Sequence, residues 1–423
     1  MEADTGVDLS ATLLGPMLDV TLDAELAGFL ETPSAQASSA ARTSVLPQVV
    51  EQDGALRLAG SGGPRYATVR PLGRGGMGVV DLVEDRDIGR AVAVKRLLPE
   101  ALSASAVARF AEEVRTIGRL EHPNILPIHD VGVDAEGRYF FVMKYMDGET
   151  LEAILDRLRA GDAATAALYD IPRRVAIFMG VLRALQLAHE RGILHRDIKP
   201  ANVMVGRHGE VVLMDWGVAG PIRGAGAADR VPAFDPEATV PEVPDEGRLW
   251  TTRVGDLVGT PHYMSPEQAL GHNGALDERS DLYAACVLFH ELLGLTQRHA
   301  QHKSLMAVLV AVHRTEAPPA HAMFAPHPAQ PEGVPAEYGH LLHQGLQRDP
   351  RRRWQSAGEL IAELEAIQRG ECRVQCPVTF SRRLVTRLNR FLDRRQLLAA
   401  SVILGTALVA VVAVLAGVVR LFL

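Results

Sequence analysis

Apolar and polar positions follow two different patterns along this chain. Short runs rich in β-branched residues come first and predict strands at 67–70, 79–84, 91–96 and 139–144. One stretch of helical periodicity, residues 106–120, lies among them. Farther along, apolar residues recur every three or four positions and predict helices at 173–190, 280–293 and 357–368. Strands early and helices late indicate an α+β fold with a β-rich lobe and an α-helical lobe, rather than a repeating βαβ sheet.

The two ends of the chain lack this globular pattern. Residues 1–64 are rich in Ala, Ser, Thr and Gly and show little periodicity, which predicts a disordered N-terminal tail without a signal peptide. Residues 397–419 carry neither charge nor proline, and as a helix they would measure ~34 Å, enough to cross a hydrocarbon core of ~30 Å. We therefore predict a single transmembrane helix there, followed by a short tail at 420–423. A buried core helix is the alternative, but no further domain follows to bury it.

The segment before the apolar stretch, residues 369–396, is strongly basic. Between 371 and 396 seven arginines face two acidic residues, whereas Arg420 alone lies beyond the apolar stretch. The positive-inside bias then places the globular part in the cytoplasm, on the inner face of the cytoplasmic membrane. Four apolar residues recur in this segment at helical spacing: Phe380, Leu384, Leu388 and Phe391. They fit an interfacial helix on anionic headgroups, and a merely basic flank of the membrane span is the alternative.

Composition excludes several classes of protein. The 44 basic and 51 acidic residues give a net charge of −7, which argues against a nucleic-acid partner. Hydrophobic residues make up 47% of the chain, so a wholly disordered protein is excluded. The three cysteines (Cys286, Cys372 and Cys376) are too few for a disulfide-framed secreted scaffold.

A glycine-rich turn at 73–78, with the sequence GRGGMG, is the first candidate site. A P-loop would end in Gly-Lys-Ser/Thr, but Val79 and Val80 follow. A dinucleotide fingerprint would open a helix at this point, whereas the sequence continues as a strand, VVDLVED, and then a second one, AVAVKRL. The turn therefore belongs to a β-hairpin, and bare glycine backbone lets its amides approach phosphate oxygens.

Further motifs follow in a fixed order. AVAVK ends at Lys95, HPNI spans 122–125, HRDIKPAN spans 195–202, and DWG begins 13 residues after Asn202. With these motifs the chain resembles the protein kinase family, and the GRGGMGVV, HRDIKPAN and GTPHYMSPEQ strings resemble its bacterial Hanks-type serine/threonine branch. The resemblance implies a two-lobed protein-kinase fold over residues 65–368, with the N-lobe at 65–146 and the C-lobe at 147–368.

The resemblance also implies a role for each chemical group. Lys95 would hold the α- and β-phosphates of ATP, and Glu113, rather than Glu112, would hold the lysine in place. For each charge taken alone, a solvated surface residue is the alternative. Asp197 would accept the proton of the substrate hydroxyl, and Lys199 would neutralise the transferring phosphoryl group.

Metal and nucleotide sites follow from the same resemblance. Asn202 and Asp215 would bind Mg²⁺, with Mn²⁺ as a substitute, although the family usually has Phe where this chain has Trp216. Met143 would be the gatekeeper, and residues 144–146, ending at Met146, would form the hinge that binds adenine. The remaining nucleotide-site positions implied by the resemblance are Leu72, Gly73, Gly75, Gly76, Gly78 and Val80.

The segment GTPHYMSPE at 259–267 resembles the end of a kinase activation segment. In the family, Thr260 would lie near Asp197 and Lys199, which marks serine/threonine preference. Glu267 would form a buried ion pair with Arg353. Asp281, in the central helix of the C-lobe, would brace the backbone of the catalytic loop.

The clear departure from the family is an insertion of about 30 residues at 221–249, with five prolines and six acidic residues. Thr251 and Thr252 follow it, and we hypothesise that one or the other is autophosphorylated and that the phosphate pairs with Arg196. Ordinary loop threonines are the alternative.

Together these features predict a membrane-tethered serine/threonine protein kinase that uses MgATP on protein substrates. Small residues four apart in the apolar stretch, as in Ser401 and Gly405, would permit a homodimer that phosphorylates itself in trans. A pseudokinase acting as a membrane-anchored scaffold is the main alternative, although none of the ATP, metal or base positions is substituted. A kinase for small molecules is a further alternative, disfavoured by the segment that ends at Glu267.

Overall fold

A computed structural model describes residues 48–53, 55–59, 64–75, 78–98, 104–134, 136–217, 219–221, 260–272, 276–371, 373, 376–381 and 383–385. These residues form two compact units. The first holds the described residues up to Ala108 together with Val131–Val142, and the second holds Arg109–Asp130 and the described residues from Met143 onward.

The first unit is built mainly from β-strands. The strands of this part of the chain are β1 (Gln48–Gln52), β2 (Ala55–Ala59), β3 (Tyr66–Arg74), β4 (Gly78–Asp85), β5 (Arg90–Leu97), β6 (Ile128–Val133) and β7 (Tyr139–Lys144). The last five form one sheet in the order β3-β4-β5-β7-β6, and β3, β4 and β5 pair in antiparallel fashion. The four strands predicted from the sequence are confirmed, each within a few residues, and β6 is an additional strand that the prediction missed.

A shared apolar cluster explains why these segments form a sheet. Val83 on β4, Val92 and Val94 on β5, and Phe140 and Val142 on β7 form a buried apolar cluster. β-Branched and aromatic side chains pack well on a pleated surface, and burying each one contributes about 1.5–3 kcal/mol. The cluster fixes the register that places Val80 opposite Lys95.

A β-hairpin lies within the stretch that was predicted to be disordered. Strands β1 and β2 pair from Gln48↔Ala59 to Gln52↔Ala55, and the turn contains Asp53 with a φ of 56°. Asp-Gly, here Asp53-Gly54, is a strong signal for a tight hairpin turn, because both positions tolerate positive φ. The prediction of disorder over 1–64 is therefore wrong for residues 48–59. Residues 1–47 lie outside the described part of the chain.

The second unit is largely helical. Helix α1 (Ala104–Gly118) begins in the first unit and continues into the second. The following helices are α2 (Leu151–Arg159), α3 (Ala163–Leu168), α4 (Ile171–Glu190), α5 (Pro266–Ala269), α6 (Glu278–Gly294), α7 (Leu305–Arg314), α8 (Ala336–Gly345) and α9 (Ala357–Gln368). Short strands lie between them: β8 (Gly148–Thr150), β9 (Ile193–Leu194), β10 (Val203–Gly206), β11 (Val211–Leu213) and β12 (Gly220–Pro221).

Polar side chains cap the start of several helices of the second unit. The side chain of Asp170 accepts a hydrogen bond from the backbone amide of Arg173 at the start of α4, and Asp277 caps α6 in the same way. Ser356 caps α9 through the amide of Glu359. Each such cap satisfies an amide that the helix itself leaves without a partner. The predicted helices at 106–120, 173–190, 280–293 and 357–368 are confirmed, with ends that differ by at most two residues.

The core of the second unit lies where α4 and α6 cross. Phe178 on α4 stacks on Phe289 on α6 with ring centroids 4.0 Å apart, and Tyr338 on α8 meets Phe289 edge to face. Aromatic pairs of this geometry contribute about 0.5–1.5 kcal/mol beyond their buried area. The result is a rigid helical base for the loops that follow β9 and β11.

Two predicted segments lie outside the described residues. These are the apolar stretch 397–419 and, apart from Pro221, the insertion at 221–249. Where the chain is described, none of its helices combines the length and the apolarity that a membrane crossing requires.

Candidate active site

Three polar side chains surround the carboxylate of Asp197, which lies in the loop between β9 and β10. The Lys199 ammonium donates to Oδ2 of Asp197 at 2.6 Å, and Asn202 Nδ2 donates to the same oxygen at 3.1 Å. Thr260 donates to Oδ1 of Asp197 twice, from its hydroxyl at 2.9 Å and its amide at 3.0 Å. Lys199 also donates to the Thr260 hydroxyl at 2.9 Å. We call Asp197, Lys199, Asn202 and Thr260 the Asp197 network.

This network controls the charge of Asp197. Burial tends to raise the pKa of its carboxyl group, but the hydrogen bond and charge of Lys199 and the hydrogen bond of Thr260 outweigh burial. The pKa of Asp197 therefore lies below its ordinary value, and the group is ionised at neutral pH. An ionised, partly buried carboxylate can accept a hydrogen bond from an incoming hydroxyl group.

A buried carboxylate from α6 holds the loop backbone. Asp281 accepts hydrogen bonds from the amides of His195 at 2.8 Å and Arg196 at 2.9 Å, and it also contacts His189 Nε2 at 2.9 Å. Arg196 has a φ of 68°, a conformation that non-glycine residues rarely adopt and that needs such support. The predicted bracing of the loop by Asp281 is confirmed.

His195 has a structural role. Its ring is fully buried, its Nδ1 accepts the amide hydrogen of Asp197 at 3.3 Å, and its Nε2 lies 3.0 Å from the carbonyl oxygen of Met214. These two contacts fix the tautomer with hydrogen on Nε2. The ring therefore joins the Asp197 loop to the segment that carries Asp215, in line with its prediction as a structural residue.

The Asp215-Trp216-Gly217 segment starts right after β11. Trp216 is buried in the same apolar cluster as Ile117 of α1, and its ring meets His195 edge to face at 4.6 Å. Tryptophan at this position thus fills an aromatic site in the core. Asp215 itself is exposed and adopts a φ of 61°.

Two acidic side chains approach Gly217. A Cβ built on this glycine would lie 3.3 Å from Oδ1 of Asp215 and 3.4 Å from Oε2 of Glu113, which is buried on α1. The structure therefore brings Glu113 and Asp215 to the same place in the second unit.

The donor set of the second unit suits a hard divalent cation. Asn202 uses its Nδ2 to donate to the carbonyl and carboxylate oxygens of Asp197, which leaves its amide oxygen as an acceptor. Asp215 supplies an exposed carboxylate. Amide and carboxylate oxygens are the ligands that Mg²⁺ prefers, so these two residues fit the predicted metal site. Among the described residues, no group of three or more His, Cys, Asp or Glu is suited to a metal ion.

The glycine turn and Lys95 lie in the first unit. The amide of Gly75 donates to the carbonyl oxygen of Gly78 at 2.9 Å, which closes the turn between β3 and β4. A Cβ on Gly78 would lie 2.5 Å from the carbonyl oxygen of Arg96, so only glycine fits there. The Lys95 ammonium lies 5.6 Å from the centre of the Phe141 ring. Gly76 lies outside the described residues.

The remaining predicted nucleotide-site residues lie on β3, β4 and β7 or just after β7. Leu72 and Gly73 on β3 are exposed, and Val80 on β4 is half-buried. Met143, near the end of β7, is half-buried, and Met146 is buried beside Gly206. Lys95 and the glycines belong to one unit, and Glu113, Asp197, Asn202 and Asp215 belong to the other. The convergence of the two groups around one nucleotide stays a prediction.

Three supporting residues were missed by sequence reasoning. Asn124 donates from its side chain to the carbonyl oxygen of Val211 at 2.7 Å, which ties the HPNI segment to β11. His189 contacts Asp281, and Gln268 donates to the carbonyl oxygen of Arg196 at 3.2 Å. The first and last lie in strings already noted, HPNI and GTPHYMSPEQ, but nothing in the local sequence marks His189.

The predicted ion pair between Glu267 and Arg353 is confirmed. Two nitrogens of the Arg353 guanidinium donate to the two oxygens of Glu267 at 2.7 and 2.8 Å, and Ser280 donates to the same carboxylate at 2.7 Å. Burial tends to raise the pKa of Glu267, but the charge and hydrogen bonds of Arg353 keep it below its ordinary value. The pair anchors the start of α5, a few residues after Thr260.

Comparison with known proteins gives consistent matches. A family profile described as the protein kinase domain matches residues 66–363. A probable serine/threonine-protein kinase of Streptomyces coelicolor is 34% identical over 314 residues, which cover 73% of this chain and 41% of that protein. The serine/threonine-protein kinase PknD of Mycobacterium tuberculosis is 35% identical over 312 residues, covering 72% of this chain and 40% of that protein.

A third relative extends the same picture. The serine/threonine-protein kinase PknB of Mycobacterium tuberculosis is 31% identical over 312 residues, which cover 73% of this chain and 43% of that protein. The chain spans less than half of the length of each of these three relatives.

Proposed function

The chain belongs to the protein kinase family, and from that premise we propose that it is a serine/threonine protein kinase, which transfers the γ-phosphoryl group of ATP to Ser or Thr hydroxyls of proteins. The observation that carries this proposal is the Asp197 network, in which an ionised carboxylate is held by a lysine and a threonine hydroxyl. The names of the three relatives support the serine/threonine class.

In the proposed reaction Asp197 orients the acceptor hydroxyl and takes its proton. Lys199, which is 25% exposed and bonded to Asp197, places a positive charge where the transferred group becomes more negative. Thr260 holds the carboxylate at its other oxygen, so the orientation of Asp197 is fixed before substrate arrives. Positioning of this kind supplies most of the rate gain in phosphoryl transfer, because the protein adds little covalent chemistry.

Asn202 and Asp215 would hold magnesium, and Lys95 with the glycine turn would hold the phosphates. When bound, the metal neutralises phosphate charge and stabilises the leaving oxygen. Gly78 keeps the turn close to β5 because its position admits no Cβ. Glu113, buried beside Gly217, is the carboxylate we assign to Lys95.

The acceptor class is tested with three peptides that differ only in the acceptor residue: Ser, Thr or Tyr. We expect phosphate from [γ-³²P]ATP on the Ser and Thr peptides and at least a hundredfold less on the Tyr peptide. We base this expectation on the Lys199–Thr260 contact beside Asp197, which marks serine/threonine preference in the family. Equal labelling of the Tyr peptide would contradict the proposed class.

We also propose that the protein is tethered to a membrane through residues 397–419. The apolar sequence supports this, as does the segment before it. Residues 377–381 and 383–385 are helical and expose Val378, Phe380, Leu384 and Val385, each by more than half of its surface. Thr379 is buried in the same helix, so the helix face that carries Thr379 packs against the protein. The face that carries the four apolar side chains is exposed. An apolar face beside arginines suits an anionic bilayer surface.

Regulation by phosphorylation at Thr251 or Thr252 is a further part of the proposal. Both residues lie outside the described part of the chain. Support comes from Arg196, whose guanidinium lies against the backbone of Gly220, close to where this segment begins. Phosphopeptide mapping after incubation with ATP, together with the activity of a Thr251→Ala/Thr252→Ala variant, decides this point.

A further inference from the structure

One group of basic side chains in the second unit has no part in the proposed reaction. It consists of Arg298 with four histidines, His262, His290, His299 and His302, and we call it the His–Arg cluster. His262 lies in the turn that follows Thr260, His290 lies on α6, and the other three residues lie between α6 and α7. The other four residues lie close enough to His299 for their charges to affect its pKa.

Arg298 is buried and has no carboxylate partner in the part of the chain that the structure describes. Its side chain is 7% exposed, its Nε donates to His299 Nε2 at 3.1 Å, and one terminal nitrogen donates to the carbonyl oxygen of Glu316 at 3.3 Å. The other terminal nitrogen has no hydrogen-bond partner within the described residues. Buried guanidinium groups are normally neutralised by an acidic group, so this arrangement lacks an anion.

Two acidic residues beside the cluster have other partners: Glu291, whose charge acts on His262, and Glu316, whose carbonyl oxygen accepts from Arg298. Glu291 is held by Arg159 and by the hydroxyl of Tyr263, which donates to it at 2.5 Å. The carboxylate of Glu316 is exposed and pairs with Arg348 at 2.5 Å. Neither carboxylate therefore neutralises Arg298.

Two of the histidines, His290 and His299, carry no charge at neutral pH. Burial and the charge of Arg298 lower the pKa of His299 to about 3 and that of His290 to about 4. Since Nε2 of His299 accepts from Arg298, its hydrogen lies on Nδ1, where it can donate to an acceptor. The pKa of His262 is also lowered by burial, although the charge of Glu291 opposes this.

We propose that the His–Arg cluster binds a phosphate monoester on a peptide substrate, so that the protein prefers substrates already phosphorylated near the acceptor residue. A phosphate offers several strong acceptor oxygens, which match a guanidinium with an unused nitrogen and the adjacent imidazole N–H groups. This proposal rests on the proposed function, because the cluster is linked to the substrate through the segment that carries Thr260. His262 is two residues from Thr260, whose hydroxyl contacts Asp197, so the cluster includes a residue of the segment that holds this carboxylate.

Anion binding is tested first without any kinase assay. The full chain in nanodiscs, labelled with ¹³C at the histidine Cε1 atoms, is titrated with inorganic phosphate against chloride at equal ionic strength. We expect phosphate-specific NMR shifts for His299 and His302, assigned by single His→Gln variants. Arg298→Met should reduce the phosphate affinity at least tenfold, whereas Arg352→Met, which removes an exposed arginine, should not. If a buried water rather than an anion satisfies Arg298, phosphate will cause no specific shift in the wild type. That result overturns the proposal.

Substrate preference is tested with pairs of acceptor peptides, with and without one phosphoserine placed at successive positions around the acceptor. We expect at least tenfold higher kcat/KM for one phosphorylated peptide in the wild type and in Arg352→Met. In Arg298→Met the ratio should fall toward one, with kcat/KM for the unphosphorylated peptide retained. Activity on the unphosphorylated peptide reports on the proposed function separately from this preference.

A Thr251→Ala/Thr252→Ala variant distinguishes the substrate from the chain's own segment as the source of the phosphate. Retention of the preference in this variant supports a substrate site. If phosphate-specific shifts appear in this variant but are absent from wild-type protein phosphorylated at these threonines, the cluster binds its own segment, and the substrate assignment is overturned. The substrate assignment is also overturned if, in the wild type, kcat/KM is equal for the phosphorylated and the unphosphorylated peptide of every pair.

Discussion

At the scale of single residues, the behaviour of Asp197 is decided by its two neighbours. Lys199 and Thr260 each bond one of its oxygens, so its charge and its orientation are set by the same contacts. The HRDIKPAN string predicts Asp197, Lys199 and Asn202, but the distances come only from the fold. Thr260 is 63 positions away in sequence, and its contact with Asp197 depends on how the chain returns after the insertion.

The pH dependence of the reaction should follow from this arrangement. Because the pKa of Asp197 is held below its ordinary value, kcat/KM should persist on the acidic side until pH falls toward that low pKa. Lys199→Met removes the group that lowers this pKa most, so the acidic limb of the profile should move to higher pH. It should also reduce kcat by roughly 10²–10³, as expected for removal of one preorganised electrostatic contact.

Initial rates measured at a series of pH values check this prediction. Lys303→Met, which removes an exposed lysine outside the network, is the matched control and should keep the wild-type profile. An acidic limb that is unchanged in Lys199→Met would show that Asp197 does not control it.

At the scale of elements, the sequence predicts those strands and helices whose own residues show a clear apolar pattern. Strands β4 and β5 and helices α4 and α9 follow from alternation or helical periodicity within one segment. Strand β6 was missed because its HDVG stretch breaks the apolar run, and it forms through pairing in the sheet rather than through its own composition. The β1–β2 hairpin was missed because its turn signal lies in a stretch of otherwise weak pattern.

The same contrast holds for the supporting contacts of the site. Glu267 and Arg353 were paired from the family resemblance, since their positions are 86 residues apart and no periodicity links them. His189 was missed because its partner, Asp281, lies on another helix, 92 positions away. Long-range polar contacts are fixed by how helices pack, which a single sequence does not display.

The Glu267–Arg353 pair should be important for the stability of the second unit. Glu267→Gln leaves the Arg353 charge buried without its partner, and we expect the free energy of unfolding to fall by about 3–5 kcal/mol. The pKa of Glu267 in the folded protein lies below the ordinary value of 4.5. This contribution is therefore complete above that value and is lost as pH falls through the lower, folded-state pKa.

Urea denaturation of the full chain at pH 7 and at lower pH measures this contribution. Glu365→Gln breaks an exposed pair with Arg369 and should change the free energy by about 0–1 kcal/mol. Equal effects of the two substitutions would contradict the stated contribution of the buried pair.

At the scale of the whole molecule, the chain combines the kinase domain at 66–363 with a basic, then apolar, C-terminal segment. The kinase fold, with a β-sheet lobe and a helical lobe, could be predicted from the motifs and their order. Membrane attachment remains a proposal that rests on composition and on the exposed apolar side chains near Phe380.

Attachment that resists alkaline carbonate washing should depend on the apolar stretch. Replacing Leu404 and Val411 with arginine puts two charges near the middle of the span, at a cost of about 2.5–3.5 kcal/mol each. We expect the wild-type chain to stay with membranes after alkaline carbonate washing and the double variant to be released. A double variant with alanine at both positions is the control and should stay bound. Release of the wild type would refute the tether.

The most direct measurement of the central claim is the rate of ³²P transfer from [γ-³²P]ATP to a protein substrate by three forms of the full chain. Asp197→Asn keeps the shape of the site but removes the carboxylate charge, and its rate should fall by at least 10²-fold, within the roughly 10²–10⁴ range for loss of a general base. Asp156→Asn, which changes an exposed aspartate on α2, should match the wild type. Equal transfer by Asp197→Asn and wild type, or no transfer by either, would contradict the account.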